Sequence, residues 1–233
     1  MITRHHISLA CGSTLLMYLP FVLDNPFMLA VLVIGTGIGA VIPDIQMKRP
    51  KDLSLLSVVW PLVQVFKKTL LQVYITLCAL FLGFRPEADD KRLTHSVPGL
   101  LYLAVVITLL NVLAIALGPP GLAVHILRIL SAGILIGLVF HFLEDVCTMK
   151  GLCIMYPFDE SCRIAGSIRP CNREDLRIRR FHLMTAGAIA LVVLLFGTGI
   201  CPENLMWPVS VATLLACTSM MLLHADVRVT TSA

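Results

Sequence analysis

Charge is scarce in this chain. Only 14% of its 233 residues are Asp, Glu, Lys or Arg, against about 25% in a soluble domain. That excludes a disordered chain, a basic nucleic-acid-binding domain and an ordinary cytosolic globule. Familiar catalytic signatures are missing too. No CxxC occurs among the eight cysteines, and Cys147, Cys153, Cys162 and Cys171 do not follow a zinc-ribbon spacing. There is no GxSxG elbow and no HExxH pair. The glycine run Gly35-Thr36-Gly37-Ile38-Gly39 lacks the strand and spacing of a dinucleotide fingerprint, so its small residues read as helix packing. No fixed-period repeat or low-complexity run is present, and Met1–His6 is too short and polar to open a cleavable signal peptide.

What the chain has in abundance is apolar length. Hydrophobic residues make up 58% of it, with a mean hydropathy of +0.89. A bilayer crossing takes about 20 mostly apolar residues. Six stretches qualify: Ile7–Leu23, Phe27–Pro43, Val97–Leu117, Gly121–Leu143, Leu183–Cys201 and Leu205–Leu223. The expected fold is an all-α polytopic membrane bundle of about six helices in three hairpins. Asp24-Asn25-Pro26, Gly118-Pro119-Pro120-Gly121 and Pro202-Glu203-Asn204 are the hairpin turns. None holds a Lys or Arg. Almost every cation falls on the other side, and Arg128 alone lies inside a span. The positive-inside rule then puts both termini and the long loops in the cytoplasm. Leu53–Phe84 reads as an interfacial or re-entrant segment on that side. A single crossing at Thr69–Phe84 would invert everything downstream. Residues 144–182 read as a cytoplasmic cap within one membrane domain, 1–233, because they are too few to hold a separate core.

This topology gathers ionisable groups. His5, His6, Asp44, His95, His141 and Asp145 all fall within a turn or so of the cytoplasmic membrane face. Ionisable groups at membrane depth are costly and mark function. His141 and Asp145 are four apart, on one helix face, and an imidazole with a carboxylate suits zinc, manganese or iron. Glu144, at i+3 from His141, is an alternative ligand or a base. Thr94 or Ser96 is placed to cap the next helix. Lys91 and Arg92 are placed to hold an anionic group such as phosphate. His125 lies across the bilayer, and His182 and His224 read as interfacial structural residues.

The order of these motifs is an N-terminal His, Pro43-Asp44-Ile45, Thr94-His95-Ser96 and His141-Phe142-Leu143-Glu144-Asp145, followed by Thr148, Gly151 and Pro157. In this order the chain resembles the YdjM-like family of LexA-binding, inner-membrane metal-dependent hydrolases, from the N-terminus to about Phe158. Two motifs depart from the family. Pro-Asp-Ile-Asp-His is Pro43-Asp44-Ile45-Gln46-Met47 here. His-Arg-Gly-x-Thr-His-Ser is Asp90-Lys91-Arg92-Leu93-Thr94-His95-Ser96, with an acid near the place of the first His. The surviving set is His5 or His6, Asp44, His95, His141 and Asp145, enough for one metal with an open position.

The resemblance implies a membrane-bound hydrolase that depends on a divalent cation, with zinc first and manganese or iron as alternatives. Glu144 or Asp90 would be the base. Lys91 and Arg92 would hold the substrate, a phospholipid or another phosphoester. The altered motifs leave an alternative, a non-catalytic membrane scaffold with a residual or structural metal site.

Overall fold

Seven α-helices follow the apolar pattern in a computed structural model, which describes residues 3–21, 25–46, 65, 67–88, 90–118, 121–172 and 174–231. They are α1 (Thr3–Met17), α2 (Pro26–Gly39), α3 (Gln72–Leu82), α4 (Val97–Leu117), α5 (Leu122–Val146), α6 (Arg177–Gly197) and α7 (Glu203–His224). Five apolar helical stretches, Pro26–Asp44 and the full lengths of α4 to α7, are long enough to cross a membrane. α1 has 15 residues, a rise of about 22 Å at about 1.5 Å per residue, and it ends just before Pro20. It runs through the middle of the bundle, packed against α2, α5, α6 and α7.

Local signals set the helix starts. Asn25 caps α2 by accepting from the Met28 backbone N–H at 3.1 Å, with Pro26 in the first turn. Ser96 caps α4 in the same way, accepting from Gly99 N–H at 3.2 Å. α6 begins at Arg177, six residues before its apolar run, so its first turn is the basic Arg177–Arg180 stretch. α5 continues through Glu144 and Asp145 to Val146.

The tightest packing is between α2 and α5. A Cβ at Gly35 or Gly39 would collide with the Leu130 or Ile134 carbonyl. One at Gly133 or Gly137 would collide with the Leu32 or Thr36 carbonyl. Two glycines four apart on each helix thus let the backbones touch, as the glycine run led us to expect. This contact holds Asp44, in the 3-10 turn Ile42–Gln46 after α2, beside the last turns of α5.

All three hairpins share one end. His95, just before α4, lies 3.4 Å from Asp44, just after α2. The chain between them therefore returns to the end it left, so the segment containing Thr69–Phe84 does not invert the helices that follow. Of Leu53–Phe84, residues 53–64 and 66 lie outside the described residues. The remainder forms a wide helical turn, Lys67–Leu71, leading into α3. Tyr74, Ile75 and Cys78 of α3 are buried with Leu93 and Tyr156, and Tyr74 stacks on Tyr102 of α4 at 4.6 Å. The outer face of α3, with Val73, Leu80 and Phe81, is exposed and apolar.

Between α5 and α6 the chain makes two short strands, β1 (Leu152–Cys153) and β2 (Cys162–Ala165). β3 (Arg228–Thr231), beyond α7, completes a three-stranded antiparallel sheet in the order β1-β2-β3. Cys147 and Ile168 from this layer are buried among Leu9, Ile178, Phe181 and Met221 of the helices. All eight cysteines are free.

Candidate metal centre

Five side chains from four segments meet at the shared end of the bundle. His6 comes from the first turns of α1 and Asp44 from the turn after α2. His95 comes from the loop before α4, and His141 and Asp145 come from the end of α5. His6 is 0%, His141 1%, Asp44 8% and Asp145 8% exposed. Two overlapping triads, His6–Asp44–His141 and His95–His141–Asp145, have donor atoms within 4.8 Å of one another.

The outer nitrogens fix how the imidazoles face. His141 Nδ1 lies 2.7 Å from the Ala40 carbonyl, and His95 Nδ1 lies 2.9 Å from the Lys91 carbonyl. A carbonyl oxygen only accepts, so in each ring Nδ1 carries a proton, and in the neutral ring Nε2 is left with a lone pair. His6 Nδ1 lies 2.7 Å from Glu144 Oε2. Its Nε2 faces Asp145 Oδ1 at 3.3 Å but makes no hydrogen bond. All three rings thus tether the outer nitrogen and turn Nε2 inward. His6 and His141 stack with ring centroids 4.1 Å apart.

The inward atoms lie close together. His95 Nε2 is 3.2 Å from His141 Nε2, 3.3 Å from Asp145 Oδ2 and 3.4 Å from Asp44 Oδ1. His141 Nε2 is 3.4 Å from Asp145 Oδ2. Two lone-pair nitrogens at 3.2 Å repel unless a proton or a cation lies between them. Ligands about 2.0–2.1 Å from a tetrahedral zinc lie about 3.3 Å apart, the spacing found here. Asp44 Oδ2 is also buried without a hydrogen-bond partner. The donor set, neutral imidazoles with carboxylates, fits a divalent cation such as zinc, manganese or iron.

The other residues singled out in the sequence lie around this cluster. His5 points away from it and pairs with His182 of α6, Nδ1 to Nε2 at 3.0 Å. Glu144 is 1% exposed. It sits behind His6, with Oε2 on the ring and Oε1 without a hydrogen-bond partner. Asp90 caps the turn Lys91–Leu93 by accepting from Arg92 N–H at 2.9 Å. Arg92 Nε and an Nη clasp the same carboxylate. Burial opposes ionisation of Asp90, but these bonds outweigh it and hold its carboxyl below the usual range. Arg92 also pairs with Glu160 at 2.9 Å and covers the Tyr156 ring at 4.3 Å. The Lys91 side chain is exposed. Thr94, which the sequence offered only as a cap, donates to the Pro43 carbonyl at 2.7 Å and so ties the His95 loop to the Asp44 turn. The choice between His5 and His6 was not readable from their adjacency, because one helical step rotates a side chain by about 100°.

A search of the curated proteins and of the solved structures finds no match. The sequence model of the YdjM inner membrane protein family matches residues 1–225. That span contains the seven described helices and every member of the His–Asp cluster, and the chain belongs to the YdjM inner membrane protein family.

Proposed function

We propose that this membrane protein is a metal-dependent hydrolase whose substrate is a phospholipid or another phosphoester at the cytoplasmic membrane face. The observation that supports it is the convergence of three Nε2 atoms and two carboxylates whose outer partners preset them for a cation. His6, His95, His141, Asp44 and Asp145 would hold it. A divalent cation bound there supplies Lewis-acid polarisation of a phosphoryl or acyl oxygen and makes water a stronger acid.

The remaining chemistry belongs to the chain's own residues. His95 and Asp145 are the most accessible members of the cluster, with side chains 11% and 12% exposed, so a substrate would reach it past them. Lys91 offers an exposed ammonium group for an anionic head group. Arg92 is committed to Asp90, Glu160 and Tyr156, so its part is to hold the His95 loop, and Asp90 anchors Arg92 in turn. The cations of the described loops lie at the cluster end, around the start of α1, before α4, between α5 and α6 and after α7. By the positive-inside rule this is the cytoplasmic end, with both termini there. Residues 144–182 would cap the site as part of one membrane domain.

One observation favours a second reading, a scaffold with a structural metal. The cluster offers five donor residues, and four already close the coordination of zinc, whereas catalytic zinc keeps a position open. The test is elemental analysis of detergent-purified protein beside a His141→Ala/Asp145→Ala variant, with phosphoester and phospholipid turnover measured on both. About one zinc, manganese or iron per chain, lost together with turnover in the variant, is the expected result. Metal without turnover supports the scaffold. Absence of metal after supplementation overturns both readings.

A further inference from the structure

We infer that Glu144 is a positioning residue that acts through His6, holding the ring so that Nε2 faces the cluster. The inference rests on the reading of the cluster as a metal site. Glu144 and His6 are, respectively, 1% and 0% exposed, and they come from different helices, α5 and α1. A carboxylate buried among apolar helices is costly, and this one makes its 2.7 Å contact with a single ring nitrogen. That contact is matched by the carbonyls of Ala40 and Lys91 behind His141 and His95. Unlike those carbonyls a carboxyl group can ionise, and with a cation bound by His6 it would make the imidazole a more basic ligand as well as orienting it, the role outer carboxylates play behind metal-bound histidines.

His6 also depends on Glu144 more than its neighbours depend on their partners. His141 and His95 are aimed by the backbone of adjacent turns and are set by the fold. His6 stacks on His141, a contact that leaves both ring flips open. The Glu144 side chain holds Nδ1 at 2.7 Å and so selects the flip that leaves Nε2 facing Asp145 Oδ1 at 3.3 Å.

The experiment is a cobalt(II) titration of the metal-free full-length chain in detergent, followed by the visible d–d bands. It compares wild type, Glu144→Gln, Glu144→Ala, His6→Ala and the His6→Ala/Glu144→Gln double variant. Wild type is expected to bind about one cobalt, and Glu144→Ala to weaken it roughly 10- to 100-fold with stoichiometry kept. Glu144→Gln keeps the shape and an acceptor oxygen but drops the charge, so it falls between the two and shifts the bands. The double variant is expected to bind no more weakly than His6→Ala alone, since the two residues act as one unit. Unchanged affinity in Glu144→Gln and Glu144→Ala, or equal weakening with and without His6, overturns the inference and leaves the metal site standing. A wild type that binds no cobalt overturns the site itself. Should the Glu144 variants fail to fold, the ¹⁵N resonances of His6 in the wild type decide. A protonated Nδ1 with a bare Nε2 is expected, and the opposite tautomer overturns the inference.

Discussion

The helix pairs α2/α5 and α6/α7 are built from the same kinds of residue and pack very differently. Between α2 and α5, glycines face glycines and a single added methyl group would strike a backbone carbonyl. In α6, Gly187 and Gly197 have nothing within 4 Å of an added Cβ, and Leu183, Leu191 and Leu194 are exposed. The tight pair carries Asp44, His141, Glu144 and Asp145. The loose pair contributes none of the cluster. Lipid tails are as apolar as leucine, so helices in a membrane gain little from hiding leucine and much from close backbone contact. A metal site tolerates only a few tenths of an ångström of error in its donors. The glycine seam is therefore where ligand geometry is made rigid, and α6/α7 encloses α1 without setting any donor.

The largest expected effect follows directly. Gly137→Leu should cost roughly 3 kcal/mol or more, because the obstruction is backbone that cannot repack, and cobalt binding should be lost with it. Gly187→Leu, on the open face of α6, should stay within about 0.5 kcal/mol and leave binding unchanged. Thermal midpoints in detergent, read beside cobalt titrations, check both. Equal damage from the two substitutions would dissolve the distinction between the pairs.

The next effect separates the bundle from its cap. Arg177 donates to Asp175 at 2.6 and 2.8 Å, to the Ser167 hydroxyl at 2.7 Å and carbonyl at 2.8 Å, and to the His224 carbonyl at 3.4 Å. It joins the start of α6, the loop after β2 and the end of α7. Arg177→Ala should cost roughly 2–3 kcal/mol of local stability. Hydrogen exchange should rise around β2 and β3 with α2/α5 unaffected. The same staple gives a pH dependence. The Arg177 hydrogen bonds hold the Asp175 carboxyl well below its usual range. The protection they give is therefore complete above the unfolded carboxylate value of about 3.9 and drains away as pH falls below it. Asp175→Asn should abolish that acid-side loss in exchange measurements. An unchanged profile would place the cap's stability elsewhere.

The two regions were unequally legible in the sequence. Hydropathy located α4, α5 and α7 to within a few residues because lipid imposes length and composition directly. The gathering of the His–Asp cluster was legible for a topological reason. Hairpins with cation-free turns bring the start of α1, the end of α2, the start of α4 and the end of α5 to one face. Asp44 and His95 meet at 3.4 Å at that end of the bundle. The early start of α6 was hidden because its first turn is basic and resembles a loop. β3 was hidden because its partner lies more than 60 residues away, Cys162 facing Thr231, and its four residues are all exposed, so no burial pattern announced a strand. Glu144 was legible as an acid near the site. Its engagement with His6 was not, because only the close approach of α1 and α5 decides which acid faces which ring.

The smallest effect tests whether rigidity reaches His95, the one cluster member borne by a loop. Thr94 ties that loop to the Asp44 turn by donating to the Pro43 carbonyl, while His95 itself is aimed by the Lys91 carbonyl. Thr94→Val keeps the shape and removes the hydroxyl, at a cost of about 1 kcal/mol. Suppose the loop is held mainly by this bond. The cost then appears as a roughly fivefold weaker cobalt affinity, with the thermal midpoint almost unmoved, because the loss falls on the placement of one donor. Suppose instead that the Arg92 clasp on Asp90 and Glu160 already fixes the loop. Affinity is then unchanged in Thr94→Val and falls only when Arg92→Ala is added. Either outcome locates the restraint on His95 in side chains, whereas His141 owes its restraint to the glycine seam.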